Sequence, residues 1–174
     1  MVSSSSSAPI LPAGSAAGRR FGIVASRYHE ELTRQLQAGA LATLKNLGAS
    51  DEDIVSVWVP GSFEIPLAAR AFAHQQFDAV ICLGVIIKGE TTHDQYIARE
   101  AARGVSALAQ AAGIPVIFGV LTTQTLEQAR ERCGGAKGHK GIEAAEAAVS
   151  MLQVLDQIKK IPGKTPKSVG FGSR

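Results

Sequence analysis

Short runs of consecutive apolar residues alternate along this chain with stretches in which apolar residues return every three or four positions. The runs "FGIVAS", "IVSVWV", "AVICLGVII" and "PVIFGVL" are rich in β-branched residues. Near-continuous apolar runs of this length are typical of strands that are buried on both faces of a parallel sheet. The pattern therefore predicts four strands in one sheet.

The stretches between these runs predict amphipathic helices. After the first strand, apolar residues recur at helical spacing up to Gly48, at Leu32, Leu36, Ala40, Leu44 and Leu47. The helix "IPLAARAFAHQQ" opens with a proline, "HDQYIAREAARGVSALAQAAG" ends in a glycine, and "LEQARERC" and "KGIEAAEAAVSMLQVLDQIKK" follow the fourth strand. Strands that alternate with helices predict an α/β fold with a parallel sheet, right-handed crossovers and helices on both faces.

We expect one domain over residues 19–160, with a flexible tail at each end. Residues 1–18 are rich in Ser, Ala, Pro and Gly, and residues 161–174 have a similar composition with several basic residues. Such segments bury too little apolar surface to fold alone. The first segment also lacks the basic and apolar regions of a signal peptide.

The charge and the cysteines restrict the function classes. The net charge is +3, but residues 159–174 carry +5, so residues 1–158 carry −2. We therefore expect no nucleic-acid partner, because the basic charge belongs to the end of the chain. The longest apolar run is too short to span a bilayer, so no membrane partner is expected either. Two scattered cysteines, Cys82 and Cys133, fit a reducing cytoplasm better than a disulfide framework.

Polar loops follow the first three strands, namely "SRYHE", "PGSFEIP" and "KGETTH". Ligands in this fold class bind outside the carboxyl ends of the strands, so we expect the functional site where these loops meet. In the first loop, Tyr28 could stack on a planar ring, and a packing role is an equal alternative.

The segment "KGETTH" has the features of an anion site at a helix start. Thr92, followed by a glutamine three residues later, predicts a capping box, which places His93 in the first helical turn. Free backbone N–H groups there favour an anion, and Gly89 allows a close approach, so Glu90 and Thr91 could hold a phosphate. The positive helix end disfavours a protonated imidazole, which leaves His93 able to exchange protons. The alternative is a plain surface histidine.

Further binding elements are predicted outside this segment. Two prolines stiffen "PGSFEIP", which could expose Phe63 and present N–H groups to a flat polar ligand; alternatively, Phe63 belongs to the core. Arg132 and Lys140 flank the glycine-rich "CGGAKGHKG", where they could bind a phosphate or a carbonyl oxygen, or form a charge pair at a helix end. Phe118, inside the fourth strand, is expected in the core. The sequence contains no GxGxxG, GxxxxGKS/T, HExxH or CxxC motif, so we expect neither a dinucleotide nor a metal site.

Taken together, "RFGIVASRYHEEL", "VWVPGSFEIPLAA", "DAVICLGVIIKGETTHDQYI", "GIPVIFGVLTTQTLEQARERCG" and "GHKGIEAA" resemble the 6,7-dimethyl-8-ribityllumazine synthase family. The likeness covers residues 20–160 in the same order and spacing, and "VPGSFEIP" together with "KGETTH" is highly specific. It implies a flavodoxin-like three-layer sandwich and a site shared between adjacent subunits. It also implies the condensation of 5-amino-6-(D-ribitylamino)uracil with 3,4-dihydroxy-2-butanone 4-phosphate, the penultimate step of riboflavin synthesis, without a metal or an organic cofactor.

The resemblance also implies a role for each candidate residue. Tyr28 takes the position of a phenylalanine that stacks on the pyrimidine, and His93 takes that of the acid–base residue. Arg132 takes the position of a phosphate contact, and Phe118 that of a ligand contact, which replaces the expectation of a core role. The remaining implied substrate contacts are Ser62, Phe63, Glu64, Val85, Ile86, Ile87, Glu90, Thr91 and Lys140.

Alternative functions and the size of the assembly remain open at this point. The alternatives are a non-catalytic flavin- or lumazine-binding protein, a cage protein of the same fold, and a sugar-phosphate isomerase. The implied assembly is a homo-pentamer, and the short glycine-rich link between Arg132 and Lys140 favours a 60-subunit shell. The N-terminal segment, with Pro9 and Pro12, opposes the shell, because shell-forming relatives add a strand from there. A riboflavin synthase is a further implied partner.

Overall fold

The structure is a computed structural model that describes residues 11–162 of the chain. Four long strands form a parallel sheet in the order β2-β1-β3-β4: β1 (Phe21–Ser26), β2 (Ile54–Val59), β3 (Ala79–Ile87) and β4 (Val116–Thr123). The α-helices of the described part are α1 (Glu30–Asn46), α2 (Ile65–Ala73), α3 (His93–Ala112), α4 (Leu126–Glu131) and α5 (Lys140–Lys159). Short 3₁₀ turns, Asp51–Asp53 and Ser62–Glu64, precede β2 and α2. The predicted α/β class and four-stranded parallel sheet are confirmed.

The sheet separates two apolar cores, because successive side chains of a strand point to opposite faces. In β3, Ile81 and Leu83 pack with buried residues of α1 and α5. Val80 and Cys82 point the other way and belong to the core that α2 and α3 cover. Helices therefore lie on both faces, which confirms the predicted three-layer sandwich and explains why β3 is apolar throughout.

The start of α5 lies so close to α1 that an added side chain would clash at two glycine positions. At Gly141, the second residue of α5, an added Cβ atom would lie 1.9 Å from the Leu36 carbonyl oxygen. At Gly39 in α1, an added Cβ atom would lie 2.2 Å from Cε1 of His139. This contact fixes the start of α5 against the middle of α1.

The link between α4 and α5 forms a short antiparallel hairpin, in which β5 (Cys133–Gly135) pairs with β6 (Gly138–His139). The sequence pattern predicted only a glycine-rich loop there. Gly134 and Gly138 adopt φ angles of 118° and 93°, which residues with a side chain rarely adopt. The glycines therefore permit a tight, hydrogen-bonded turn.

Residues 11–18 pack against the domain that follows them. Ala16 is fully buried, and its N–H group donates to the Leu47 carbonyl oxygen over 2.8 Å. The side-chain amide of Gln153 in α5 donates to the Ser15 hydroxyl over 3.0 Å. Small and apolar residues in this segment find partners on α1 and α5, which composition alone did not reveal. Residues 1–10 and 163–174, the rest of the two expected tails, lie outside the described residues, so their flexibility stays a prediction.

We predict that Gly141→Ala destabilises the fold, because the added methyl group must push α5 away from α1. Overpacking of a close contact costs about 1–3 kcal/mol, so the midpoint of thermal unfolding should fall by about 3–10 °C. Gly89→Ala is the matched control, since an added Cβ atom there meets no atom within 4 Å. Equal midpoints for the two variants would show that α1 and α5 are packed less tightly than this contact indicates.

Candidate active site

A cavity of about 580 Å³ opens at the carboxyl ends of the strands. Its walls come from Tyr28 after β1, residues 61–64 after β2, residues 85–87 at the end of β3, and Gly89, Thr91, His93, Asp94 and Ile97 around the start of α3. The three polar loops therefore meet at one edge of the sheet, as the parallel topology predicts.

Tyr28 forms an exposed aromatic wall of the cavity. The next residue, His29, has a left-handed backbone with φ = 57° and precedes the first residue of α1. This turn sends the chain from β1 into α1 and leaves the Tyr28 side chain 69% exposed, so the packing alternative for Tyr28 is wrong. The His29 ring contacts the Tyr28 ring edge to face, with 4.9 Å between the ring centroids. Burial lowers the pKa of His29, which favours its neutral form beside the tyrosine.

The segment "PGSFEIP" forms a rigid polar turn. A Glu64 carboxylate oxygen accepts the Gly61 N–H group over 2.9 Å, and this clamp closes the turn. Ser62 is buried, and its hydroxyl donates to the Ser26 hydroxyl over 3.4 Å. Phe63 is 58% exposed, so the alternative that places it in the core is wrong.

Gly84 allows the turn to approach β3. An added Cβ atom at Gly84 would lie 2.6 Å from Ser62 Oγ and 2.9 Å from Ser26 Oγ. A side chain at this strand position would push the two serines apart. Because Gly84 has no side chain, the 61–64 turn can lie against β3, whose end forms the cavity floor.

Helix α3 begins at His93, as predicted, but without the expected capping box. Thr92 is the N-cap residue, yet its side chain makes no capping hydrogen bond. The reason is its backbone, with φ = −80° and ψ = 8°, because a capping hydroxyl requires an extended N-cap residue. The Thr91 hydroxyl accepts the His93 N–H group instead, over 3.4 Å. Thr91 and His93 are both exposed and both line the cavity.

The charged groups of the cavity are acidic. Its carboxylates belong to Glu64 and Asp94, and among residues 11–162 no lysine or arginine lines it. One carboxylate oxygen of Asp94, Oδ1, is buried without a hydrogen-bond partner among the described residues. Asp94 and Ile97 were not selected from the sequence. The available signal for Asp94 was its place in the first turn of the predicted helix, next to His93. For Ile97 it was the spacing of four residues from His93, which puts both on the same helix face.

Four of the predicted site residues do not line this cavity: Glu90, Phe118, Arg132 and Lys140. Glu90 is exposed in the loop between β3 and α3. Phe118 lies on the edge strand β4 and is 38% exposed, so it is not a core residue. Arg132 is exposed at the end of α4, and Lys140 begins α5, where its ammonium group pairs with Glu143. The other nine predicted residues share the cavity.

The described residues favour binding and proton transfer over other chemistry. Within residues 11–162, no three His, Cys, Asp or Glu side chains cluster in a way that could hold a metal ion. Burial raises the pKa of Cys82 to about 12 and that of Cys133 to about 11, so both thiols stay protonated and are poor nucleophiles. No helix in this part of the chain is both long and apolar enough to cross a membrane.

The chain matches the model of a known protein family. The family model of 6,7-dimethyl-8-ribityllumazine synthase matches residues 18–156. The matched range contains every strand of the parallel sheet and every residue that lines the cavity. Because the match spans well over half of the chain, this chain belongs to the 6,7-dimethyl-8-ribityllumazine synthase family, whose members are transferases of riboflavin biosynthesis.

Proposed function

We propose that the protein condenses 5-amino-6-(D-ribitylamino)uracil with 3,4-dihydroxy-2-butanone 4-phosphate to give 6,7-dimethyl-8-ribityllumazine, phosphate and water. The observation that carries this proposal is the meeting of Tyr28, the 61–64 turn and His93 around one cavity. A planar pyrimidine needs flat apolar contacts, and the reaction needs proton transfer beside it. The cavity offers both.

The cavity walls suit a flat ring that carries a polar chain. Tyr28 and Phe63 are largely exposed in the free chain, so covering them with a ligand removes apolar surface from water. Residues 85–87 supply an apolar floor. The 61–64 turn is held by its own hydrogen bond, so its polar groups are positioned before the ring and the ribityl chain arrive.

Each step of the proposed reaction moves a proton. The primary amine attacks the ketone carbonyl, and water leaves as the imine forms. Phosphate then leaves as the neighbouring carbon loses a proton, and the second amine closes the ring with loss of water. An imidazole at the His93 position can accept a proton in one step and return it in another. Holding both substrates in one cavity contributes the remaining acceleration.

A phosphate ester requires positive charge, which residues 11–162 of a single chain do not bring to the cavity. Within that range no lysine or arginine lines it, and Glu64 and Asp94 make it acidic. We therefore propose that a second copy of the chain contributes Arg132 and Lys140, which lie outside the cavity of their own chain. Each copy of a closed ring gives such residues to one neighbour and receives them from the other. The family resemblance makes this ring a pentamer, and the tight hairpin between α4 and α5 favours a 60-subunit shell of pentamers.

A non-catalytic flavin- or lumazine-binding protein is the second candidate. It is favoured by the single-chain cavity itself, whose aromatic and apolar walls suffice to bind a ring without any phosphate contact. The two functions differ in turnover. Only the enzyme forms the lumazine chromophore when purified protein is mixed with both substrates. Turnover of the butanone phosphate alone would instead indicate a sugar-phosphate isomerase.

We also propose a cytoplasmic location. Cys82 and Cys133 are free and buried, which fits a reducing compartment. The lumazine product would pass there to a riboflavin synthase, the partner that the family resemblance implies.

We predict that His93→Ala lowers kcat while leaving the binding of the butanone phosphate largely unchanged, because the imidazole moves protons and does not anchor the substrate. The loss should be about 10²-fold or less, since condensation of an amine with a ketone also proceeds without a catalyst. Lumazine absorbance under saturating substrates measures it. His74→Ala, an exposed histidine after α2 and outside the cavity, is the control. Equal kcat for His93→Ala and the parent would remove His93 from the mechanism.

We predict that Arg132→Ala raises the KM for the butanone phosphate far more than the KM for the pyrimidine. A charge-assisted contact to a phosphate contributes about 1.5–3 kcal/mol, so the rise should be about tenfold or more. Steady-state kinetics with each substrate varied in turn separates the two constants. Arg130→Ala, an exposed arginine on α4, is the matched control. A parallel rise of both constants would make Arg132 a structural residue.

We predict that mixed rings of His93→Ala and Arg132→Ala chains, assayed with the butanone phosphate below the KM of the parent, are more active than the mean of the two variants. If each site takes His93 from one copy and Arg132 from its neighbour, random equal mixing leaves about a quarter of the sites intact. The variants are unfolded together, refolded and assayed, with each variant refolded alone as the control. Activity no higher than the mean of the two variants contradicts a shared site.

Light scattering on the parent protein should give the mass of five or sixty chains, and a smaller mass contradicts the ring.

A further inference from the structure

His139 joins three elements at the start of α5. It is the last residue of β6 and the N-cap residue of α5, with an extended backbone at φ = −137° and ψ = 98°. Its Nδ1 atom accepts the N–H group of Ile142 over 3.4 Å. Its ring lies on Gly39 of α1, where the three atoms nearest to an added Cβ atom all belong to the imidazole. One side chain therefore caps α5 and also fixes it against α1.

Gly39 makes room for this ring, although glycine weakens the interior of a helix relative to alanine. It stands in the middle of α1, and the imidazole fits there only because Gly39 carries no Cβ atom. The usual N-cap residues are Asn, Asp, Ser and Thr, and none of them has a ring that could fill such a space. An uncommon cap is thus matched by a glycine that accommodates it.

Lys140, the next residue, takes its position from this junction. Its N–H group donates to the Arg132 carbonyl oxygen over 2.9 Å, so a backbone hydrogen bond joins the two cations that lie outside their own cavity. Its ammonium group pairs with Glu143 at the surface. An exposed ion pair of this kind contributes little. The backbone at the start of α5 therefore sets the point from which the Lys140 side chain extends.

We propose that His139 is a positioning residue for the butanone phosphate and that it acts through Lys140. By capping α5 and holding it against α1, His139 keeps the Lys140 ammonium group in place for the cavity of the neighbouring copy. This role rests on the proposed function, in which Lys140 of one copy reaches the phosphate ester bound to the next. A charge that is ordered before the ligand arrives binds it more tightly, because no binding free energy is then lost in ordering it. His139 itself does not line the cavity and makes no contact with substrate in this arrangement.

The ordinary explanation of His139 is a helix cap that serves stability alone. Loss of such a cap lowers the stability of the folded protein and has no reason to affect one substrate more than the other. Loss of a positioning residue weakens the binding of the substrate that its partner contacts. The two KM values therefore separate the explanations.

The first test removes the cap and then restores it. We expect His139→Ala to raise the KM for the butanone phosphate by about three- to tenfold, as the loss of a typical N-cap implies, and the KM for the ribitylaminouracil by less than about twofold. The thermal midpoint should fall by about 2–4 °C. His139→Asn keeps an acceptor at the cap and should bring the KM for the butanone phosphate back to within about twofold of the parent.

The second test reaches the same ring from α1. Gly39→Ala must displace the imidazole, since the added Cβ atom would lie 2.2 Å from Cε1, so it should raise the KM for the butanone phosphate as His139→Ala does. The double variant Gly39→Ala with His139→Asn no longer contains the ring that clashes. Its KM should therefore return to that of His139→Asn.

A double-mutant cycle tests the route through Lys140. Lys140→Ala should raise the KM for the butanone phosphate, and adding His139→Ala should raise it by less than about twofold more, because residues that act as a unit are not additive. Ser15→Ala is the stability control, since it removes the hydrogen bond from Gln153 farther along α5. It should lower the thermal midpoint and leave both KM values at the level of the parent.

Each contrary outcome overturns a defined statement. A parent-like KM for the butanone phosphate in His139→Ala, while the parent forms lumazine, overturns the positioning role and leaves the proposed function intact. An equal rise of both KM values assigns His139 to helix stability, and no recovery in His139→Asn excludes the cap; either result overturns the role as well. Independent effects in the double-mutant cycle show that His139 does not act through Lys140, which also overturns it. A parent protein that forms no lumazine overturns the proposed function and, with it, the role of His139.

Discussion

The structure depends on the burial of β3 on both of its faces. Eight of its nine residues are buried, and the strand lies between β1 and β4, where it contributes to both apolar cores. A shift of its register by one residue would exchange the side chains of the two cores, so its position along the sheet is fixed. Its last residues, 85–87, form the cavity floor, and the polar loop to α3 follows at once. The packing of β3 therefore sets the geometry of the candidate site, although only the end of the strand reaches the cavity.

The sequence was sufficient to predict the elements whose patterns reflect local burial. The strand β2 was predicted with its observed bounds, and α3 was predicted to begin at His93, because apolar runs and helix spacing depend on neighbours along the chain. The predictions that were incomplete or wrong depend on contacts between distant parts. Residues 11–18 pack on α1 and α5, and the glycines of the α4–α5 link form a hairpin where a loop was expected. The capping box at Thr92 was wrong because a motif of residue types does not specify the backbone angles that the cap requires.

The candidate site was predictable to the extent that it lies on strand ends. Nine predicted residues share the cavity because parallel strands bring their carboxyl ends to one edge of the sheet. Asp94 was not selected, because an unpartnered carboxylate oxygen has no signature in the sequence. The family resemblance supplied Arg132 and Lys140, and spacing along the chain could not show that they lie outside the cavity of their own chain. Only the fold shows that the charged side chains which the described part of the chain places at the cavity are carboxylates.

This charge pattern has a thermodynamic consequence under the proposed function. A phosphate ester that needs the start of α3 from one copy and Arg132 from the next binds only to the assembled ring. A ligand that binds only the assembled form shifts the assembly equilibrium toward that form. By linkage, assembly raises the affinity for the ligand by the same factor. The carboxylates of Glu64 and Asp94 strengthen this linkage, because they oppose an anion as long as the neighbour's cations are absent. An isolated chain would then retain affinity for the donor-rich pyrimidine alone. The acidic cavity thus makes the entry of the second substrate, and with it the condensation, conditional on assembly.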